Sequence, residues 1–304
     1  MGKGGRTPVL LAPAGSLEAA EAALAAGADA LYVGLKGWSR GGYRGELTGE
    51  ELKACLGQAH RLGKGVRLAA NIIPAPGERA RLLEQLVELT MWGLEGVIVN
   101  DPGLLAEVKR HLPRLPVTAS IGCGALNEGD VAFYEDLGAA SVVLPGTLEP
   151  YEIAAIKAKV SIQIEVMLHM VEEFIQLGRC WMPSYLHFDP TEKSGLGTRL
   201  TGSVKRGGVG ACFKICQQPW ELVHNDRQLD RRLFPSRQIS RLAGLRDFLD
   251  AGVDIVKLQG RSLPPGLLAP LVRRYRLAIE AWANGQRPEI EPATLPSKWT
   301  VVGR

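Results

Sequence analysis

Three cysteines raise the first chemical question. Cys212 and Cys216 lie four residues apart in GACFKICQQPW, the spacing that puts two side chains on one helical face. Cys180 lies upstream in LGRCWMPSYL, and Arg179, Arg206 and Lys214 are near these thiols in sequence. Nearby cations favour the thiolate, the form that binds metal. Residue types and spacing therefore favour a metal site over a redox couple or ordinary small core residues. Three thiolates leave a four-ligand site incomplete. Candidates for the fourth ligand are Cys123 in TASIGCGALN, His169, Glu173 or an exogenous group. Zinc accepts four cysteines or three with a histidine, and an iron–sulfur cluster usually takes four cysteines, so spacing does not choose between the metals. The fifth cysteine, Cys55, shares a stripe with Leu52, Leu56 and Ala59 and reads as a core residue.

Other groups could handle protons and anions. Glu165 and His169, in IEVMLHM, share strand parity and are expected on one side of their strand, as a proton-transfer pair. Lys36, Arg40 and Arg44 alternate with Trp38 and Tyr43 in one loop. Cations interleaved with aromatics suit an anionic, planar substrate. KLQGRS carries Lys257, Gln259 and Arg261 just where many barrels bind phosphate. Asn71, Asn100 and Asp101 end other strands. GWSRG, with Ser39 at its centre, fits G-x-S-x-G, but a Gly-rich loop follows where a nucleophile elbow needs a helix.

The elements that must position these groups follow from a repeated phrase: a helix, a glycine, then a short apolar run. It appears in LEAAEAALAAGADALYVG, LLEQLVELTMWGLEGVIVN, VAFYEDLGAASVVLPG and LRDFLDAGVDIVKLQG. Each glycine falls where a helix C-cap belongs, and each run is too apolar for a half-exposed strand. Strands are expected at 9–14, 29–34, 66–73, 96–100, 116–120, 141–145, 161–169 and 254–259. Eight such units predict an α/β fold, a TIM-type (β/α)8 barrel. The chain reads as a single domain over 1–304. The barrel covers 8–170 and 238–285, a Cys-containing insertion after strand seven covers 171–237, and a tail covers 286–304. An insertion there emerges at the C-terminal mouth, where barrel enzymes keep their chemistry.

Composition bounds the rest. The chain has 304 residues, 46% hydrophobic and 22% charged, with formal charge +4. That is ordinary globular composition, and the charge is too small to point to nucleic acid by itself. No export signal and no apolar run of membrane-spanning length is visible, so a cytoplasmic location with reduced thiols is expected.

At this point a family resemblance carries the reading further. VLLAPAGSLEAAEAALAAGADALYVG resembles the opening of peptidase family U32, the collagenase-like proteases. LGRCWMPSYL, GACFKICQQPW and DAGVDIVKLQGR resemble its later motifs, in order. Several branches of that family resemble oxygen-independent hydroxylases with a 4Fe-4S cluster. One branch modifies tRNA or rRNA bases, and another works as a heterodimer on ubiquinone precursors, with prephenate implicated as oxygen source. The resemblance thus implies a 4Fe-4S cluster, zinc being the alternative, held by Cys180, Cys212 and Cys216.

The chain departs from the family pattern at three places. HMVEE stands where the family has HGAxC, Ser240 replaces a later cysteine, and Gln259 replaces a glutamate. Cys123 is assigned as the replacement fourth ligand. The expected function is oxygen-independent, anaerobic hydroxylation of an aromatic or nucleobase-like substrate with a prephenate-type oxygen donor. Glu165 and His169 would manage protons, while Lys36, Arg40, Arg44, Asn71, Lys257 and Arg261 would hold the substrate. A metal-dependent peptidase is the alternative, and a non-catalytic cluster-bearing subunit paired with a sister family member is a second. The tRNA branch carries an additional C-terminal domain, and this chain ends soon after the barrel. A small anionic or aromatic molecule is therefore expected as the partner, with RNA not favoured.

Overall fold

The helix–glycine–strand repeat is built by local backbone chemistry. Gly27, Gly93, Gly138 and Gly252, one in each repeat, have φ of 101°, 92°, 86° and 96°, the left-handed turn that ends a helix without a Cβ clash. At the other end, side chains cap the helices. Ser16 accepts from the Ala19 amide, Thr48 and Glu51 form a capping box, and Asp101 accepts from the Leu104 amide just ahead of Pro102. Such caps satisfy amides that the first helical turn leaves without partners.

A computed structural model describes residues 7–39, 45–74, 77–171 and 238–286, with short strand segments between 187 and 233. Eight parallel strands form the barrel: β1 (Val9–Ala14), β2 (Ala30–Val33), β3 (Gly65–Ala70), β4 (Gly96–Val99), β5 (Val117–Ala119), β6 (Ser141–Pro145), β7 (Gln163–Val171) and β8 (Ile255–Leu258). β8 pairs with both β7 and β1, and β6 pairs back to β7, so the sheet is closed. Eight helices follow the strands: α1 (Leu17–Ala25), α2 (Gly49–Arg61), α3 (Arg79–Met91), α4 (Pro102–His111), α5 (Glu128–Asp136), α6 (Pro150–Lys157), α7 (Leu245–Asp250) and α8 (Pro265–Ala283). The chain is a TIM barrel.

Strand alternation divides the apolar residues between two layers. Leu11, Ala30, Tyr32, Ala69, Ile98 and Ile255 pack together inside the barrel. Leu10, Leu31, Leu68, Val97, Val99 and Val256 belong to the larger core between sheet and helices. Cys55 is fully buried in that outer core, as its stripe on α2 predicts.

One strand breaks the alternation. Along β7 and β8 the partners run Glu165 with Ile255, Val166 with Val256 and Lys257 with Met167, and then jump to Leu258 with His169. Leu168 is the extra residue of a bulge. A short antiparallel strand, Gln238–Ser240, pairs with the far end of β7 and sets Ser240 opposite His169. Among the described residues of 187–233, three short antiparallel pairings occur, the longest joining Pro219–His224 to Arg227–Leu233.

Candidate active site

The barrel interior holds a charged cluster. Glu165 on β7 is fully buried, and each of its carboxylate oxygens meets a cation. Lys257 Nζ on β8 lies 2.5 Å from Oε1, and Arg67 Nη1 on β3 lies 3.1 Å from Oε2. Two cations thus share one carboxylate, leaving a net positive charge in a low-dielectric interior. Such a cluster is stable only where geometry and hydrogen bonds offset the loss of water. Burial pulls the Lys257 ammonium below the ordinary lysine range, and the charge and hydrogen bond of Glu165 oppose that shift.

Tyr32 on β2 connects this cluster to the mouth. Its ring lies 4.6 Å from Lys257 Nζ and 6.0 Å from Arg261 Cζ, measured to the ring centroid. The negative face of the ring attracts both cations. The phenol donates to the Leu258 carbonyl at 2.8 Å, and burial raises its pKa above the ordinary tyrosine range. Arg261, in the loop after β8, donates from Nη1 to Ser39 Oγ at 2.6 Å, and Ser39 donates to Glu46 at 2.7 Å. Ser39 is therefore a buried relay between an arginine and a glutamate in the loop after β2, not the tip of a nucleophile elbow.

Two glycines make room for this arrangement. A Cβ on Gly34 would lie 2.3 Å from Arg261 Nη1 and 2.4 Å from Ser39 Oγ. A Cβ on Gly15 would lie 1.9 Å from the Arg261 carbonyl oxygen. The loops after β1, β2 and β8 meet here so closely that a side chain at Gly15 would strike backbone, and one at Gly34 would displace Arg261 and Ser39.

The sequence expectations fare differently from one residue to the next. Glu165, Lys257 and Arg261 come together, joined through Tyr32. Lys36 is exposed on the β2 loop, where its amide donates to the Leu47 carbonyl, and Asn71 is half-buried at the end of β3. His169 does not share the face of Glu165. The bulge at Leu168 reverses the alternation, so Met170 packs with Met167 and Val143. The His169 ring instead meets Tyr275 of α8 edge-on, with centroids 5.9 Å apart. Burial lowers its pKa to about 4. Expecting one shared face was wrong because parity holds only for an unbroken strand.

Cys123 lies in a short 3-10 turn just beyond β5, and its thiol donates to the Val99 carbonyl at 3.5 Å. It packs in the outer core, and among the described residues no group of three metal-binding side chains assembles. Cys180, Cys212, Cys216, Arg40 and Arg44 lie outside the described residues.

Ser39 was weighed only as the centre of a G-x-S-x-G pattern; Tyr32, Arg67 and Glu46 were not singled out in the sequence. Arg67 left a signal, since a charged residue interrupts the apolar run VRLAA; the others gave none. A groove of about 720 Å³ lined by Leu94, His111, Arg114 and Pro116 sits at the opposite end of the barrel. Its residues precede β4 and β5 rather than follow them, so it lies away from the mouth. No described helix is long and apolar enough to cross a membrane.

Comparison with known proteins agrees with this architecture. The profile of peptidase family U32 matches residues 15–300. The tRNA hydroxylation protein P of Escherichia coli is 32% identical, over 92% of this chain and 69% of its own length. The tRNA hydroxylation protein P1 of Bacillus subtilis is 24% identical, over 91% of this chain and 64% of its own. A 23S rRNA 5-hydroxycytidine synthase of E. coli is also 24% identical, over 90% of this chain and 39% of its own. The solved structure of the U32 peptidase Mk0906 superposes with a TM-score of 0.50 at 15% identity, covering 69% of this chain and 93% of that one, a likeness of fold. These relatives overturn the expected preference for a small-molecule partner over RNA, because they are named for tRNA and rRNA. That preference leaned on chain length, which does not record what a barrel mouth binds.

Proposed function

The chain belongs to peptidase family U32, and from that premise we propose that it is the barrel of an RNA-hydroxylating enzyme acting on a nucleobase without molecular oxygen. One observation carries the reading. A column of Arg67, Lys257, Tyr32 and Arg261 runs from the interior to the loops after β2 and β8, in a chain 32% identical to a tRNA hydroxylation protein. Fixed cations around an aromatic ring suit anionic groups attached to a planar base.

Each side chain has a role in this proposal. Arg261, held by Ser39, binds an anionic group at the mouth. Glu165 serves as the fixed counter-ion that keeps Arg67 and Lys257 in place, since both its oxygens are engaged. Lys257, whose ammonium is weakened by burial, is the described group suited to give up a proton to a nearby acceptor. Cys180, Cys212 and Cys216 are proposed to hold an iron–sulfur cluster, which when bound would carry electrons between the base, oxidised from C–H to C–OH, and a prephenate-type oxygen donor reduced in exchange. Cys123, just beyond β5 at the C-terminal end of the barrel, is proposed as the fourth ligand.

The test is nucleoside mass spectrometry on tRNA and rRNA from a host lacking its own activity, with and without this chain. A pyrimidine nucleoside one oxygen heavier, formed under anaerobic conditions, is the expected result. Unchanged RNA, with stoichiometric zinc and no sulfide in the protein purified anaerobically, would sink the reading.

A further inference from the structure

Asn100 occupies the first position beyond β4, at the C-terminal end of the barrel. It is 1% exposed, and neither Nδ2 nor Oδ1 has a hydrogen-bond partner. A buried primary amide with both ends unsatisfied is rare in folded proteins, because each unmade bond carries the full penalty of leaving water. Such a group points to a ligand that the site is built to receive.

Backbone register places Asn100 within a polar set. Ala70 pairs with Val99 and Val99 with Ala119, so Asn71, Asn100 and Ser120 are neighbours at the ends of β3, β4 and β5. Asn100 is two residues beyond Ile98, which packs inside the barrel with Tyr32, while Val97 and Val99 pack outside. Continued alternation turns Asn100 toward the interior, one layer nearer the mouth than Tyr32. Ser120 is 3% exposed, and its amide donates to the Val99 carbonyl at 2.8 Å.

We propose that Asn100 binds the Watson–Crick edge of a pyrimidine delivered into the barrel mouth. The inference rests on the RNA reading above and deepens it. An amide offers one acceptor and one donor side by side. Uracil presents N3–H beside an O4 acceptor, and cytosine presents an N3 acceptor beside N4–H, so a half-turn of the amide about χ2 fits either base. A base held by that edge turns its C5–C6 edge away from Asn100, open to chemistry. The charged column has the complementary task of holding the anionic groups. A base lifted from its stack into a pocket is the usual substrate state for enzymes that modify bases.

The experiment measures equilibrium binding to the full chain of a stem–loop RNA with pyrimidine loop bases, and of the same RNA with those bases removed. Wild-type protein is expected to bind the intact loop about tenfold to a hundredfold more tightly, the discrimination typical of a two-bond contact. Asn100→Leu and Asn100→Ala are expected to bring the intact loop down to the level of the base-free RNA, leaving the latter's affinity unchanged. Circular dichroism checks that each variant folds, and Ala covers the case in which Leu does not fit. Equal wild-type affinity for the two RNAs, or a preference that survives in both variants, overturns the proposal and leaves the RNA reading standing. No wild-type binding to either RNA overturns both.

Discussion

Lys257 Nζ and Glu165 Oε1 meet at 2.5 Å inside the barrel, 92 residues apart in sequence, with Arg67 on the other carboxylate oxygen. The pair closes the barrel between β7 and β8 and holds one side of the column that leads to the mouth.

Removing the shared carboxylate should be destabilising. Glu165→Leu leaves the Lys257 and Arg67 cations without their counter-ion, and about 3–5 kcal/mol of stability should be lost. Lys257→Met alone should also destabilise. The double variant should lose less than the sum of the two by about 1–3 kcal/mol, the coupling expected of contacting groups. Urea unfolding of the four proteins checks this, and strictly additive losses would show that the pair is not coupled.

Gly34→Ala tests the mouth without touching a charged group. The new methyl would occupy space held by Arg261 and Ser39 and push the guanidinium from its place. A shift of that kind should lower RNA modification by about a hundredfold, while far-UV circular dichroism stays unchanged. Gly57→Ala, where nothing lies within 4 Å of the added Cβ, is the control and should modify RNA normally.

His169 makes a distinct prediction for pH. Burial lowers its folded pKa from 6.5 to about 4. Between those values the unfolded chain binds the extra proton, so folding stability rises with pH through this window. The contribution is complete above about pH 6.5 and is lost as pH falls to about 4, a change of about 3 kcal/mol. His169→Gln should flatten the wild-type slope over that range in denaturant titrations. An identical slope in the variant would place the pH dependence on other groups.

The thiols should divide by environment. Cys180→Ala, Cys212→Ala, Cys216→Ala and Cys123→Ala should each lose bound iron and sulfide. Cys55 is buried and its thiol is pushed up to about 11, so it should resist a maleimide at neutral pH until the protein is unfolded. Metal analysis and mass spectrometry of labelled peptides read both outcomes. Retention of iron in Cys180→Ala would remove that residue from the proposed ligand set.

Much of the barrel was legible along the chain. Alternation of apolar helix stripes, glycines such as Gly27 and Gly252, and apolar runs such as ALYV and IVKL depend on backbone geometry within a few residues. Positions at strand ends, including Lys257, Arg261 and Asn100, follow once eight units are counted, because a barrel presents those ends at one mouth. Only the tertiary structure decided which groups meet. Arg67 finds Glu165 across 98 residues and Arg261 finds Ser39 across 222, because closing the sheet and bringing its loops together are properties of the whole barrel. It also decided that His169 leaves the side of Glu165. One extra residue at Leu168 reverses the two-residue alternation, and that bulge is set by how β7 pairs with its neighbours, which local periodicity does not record.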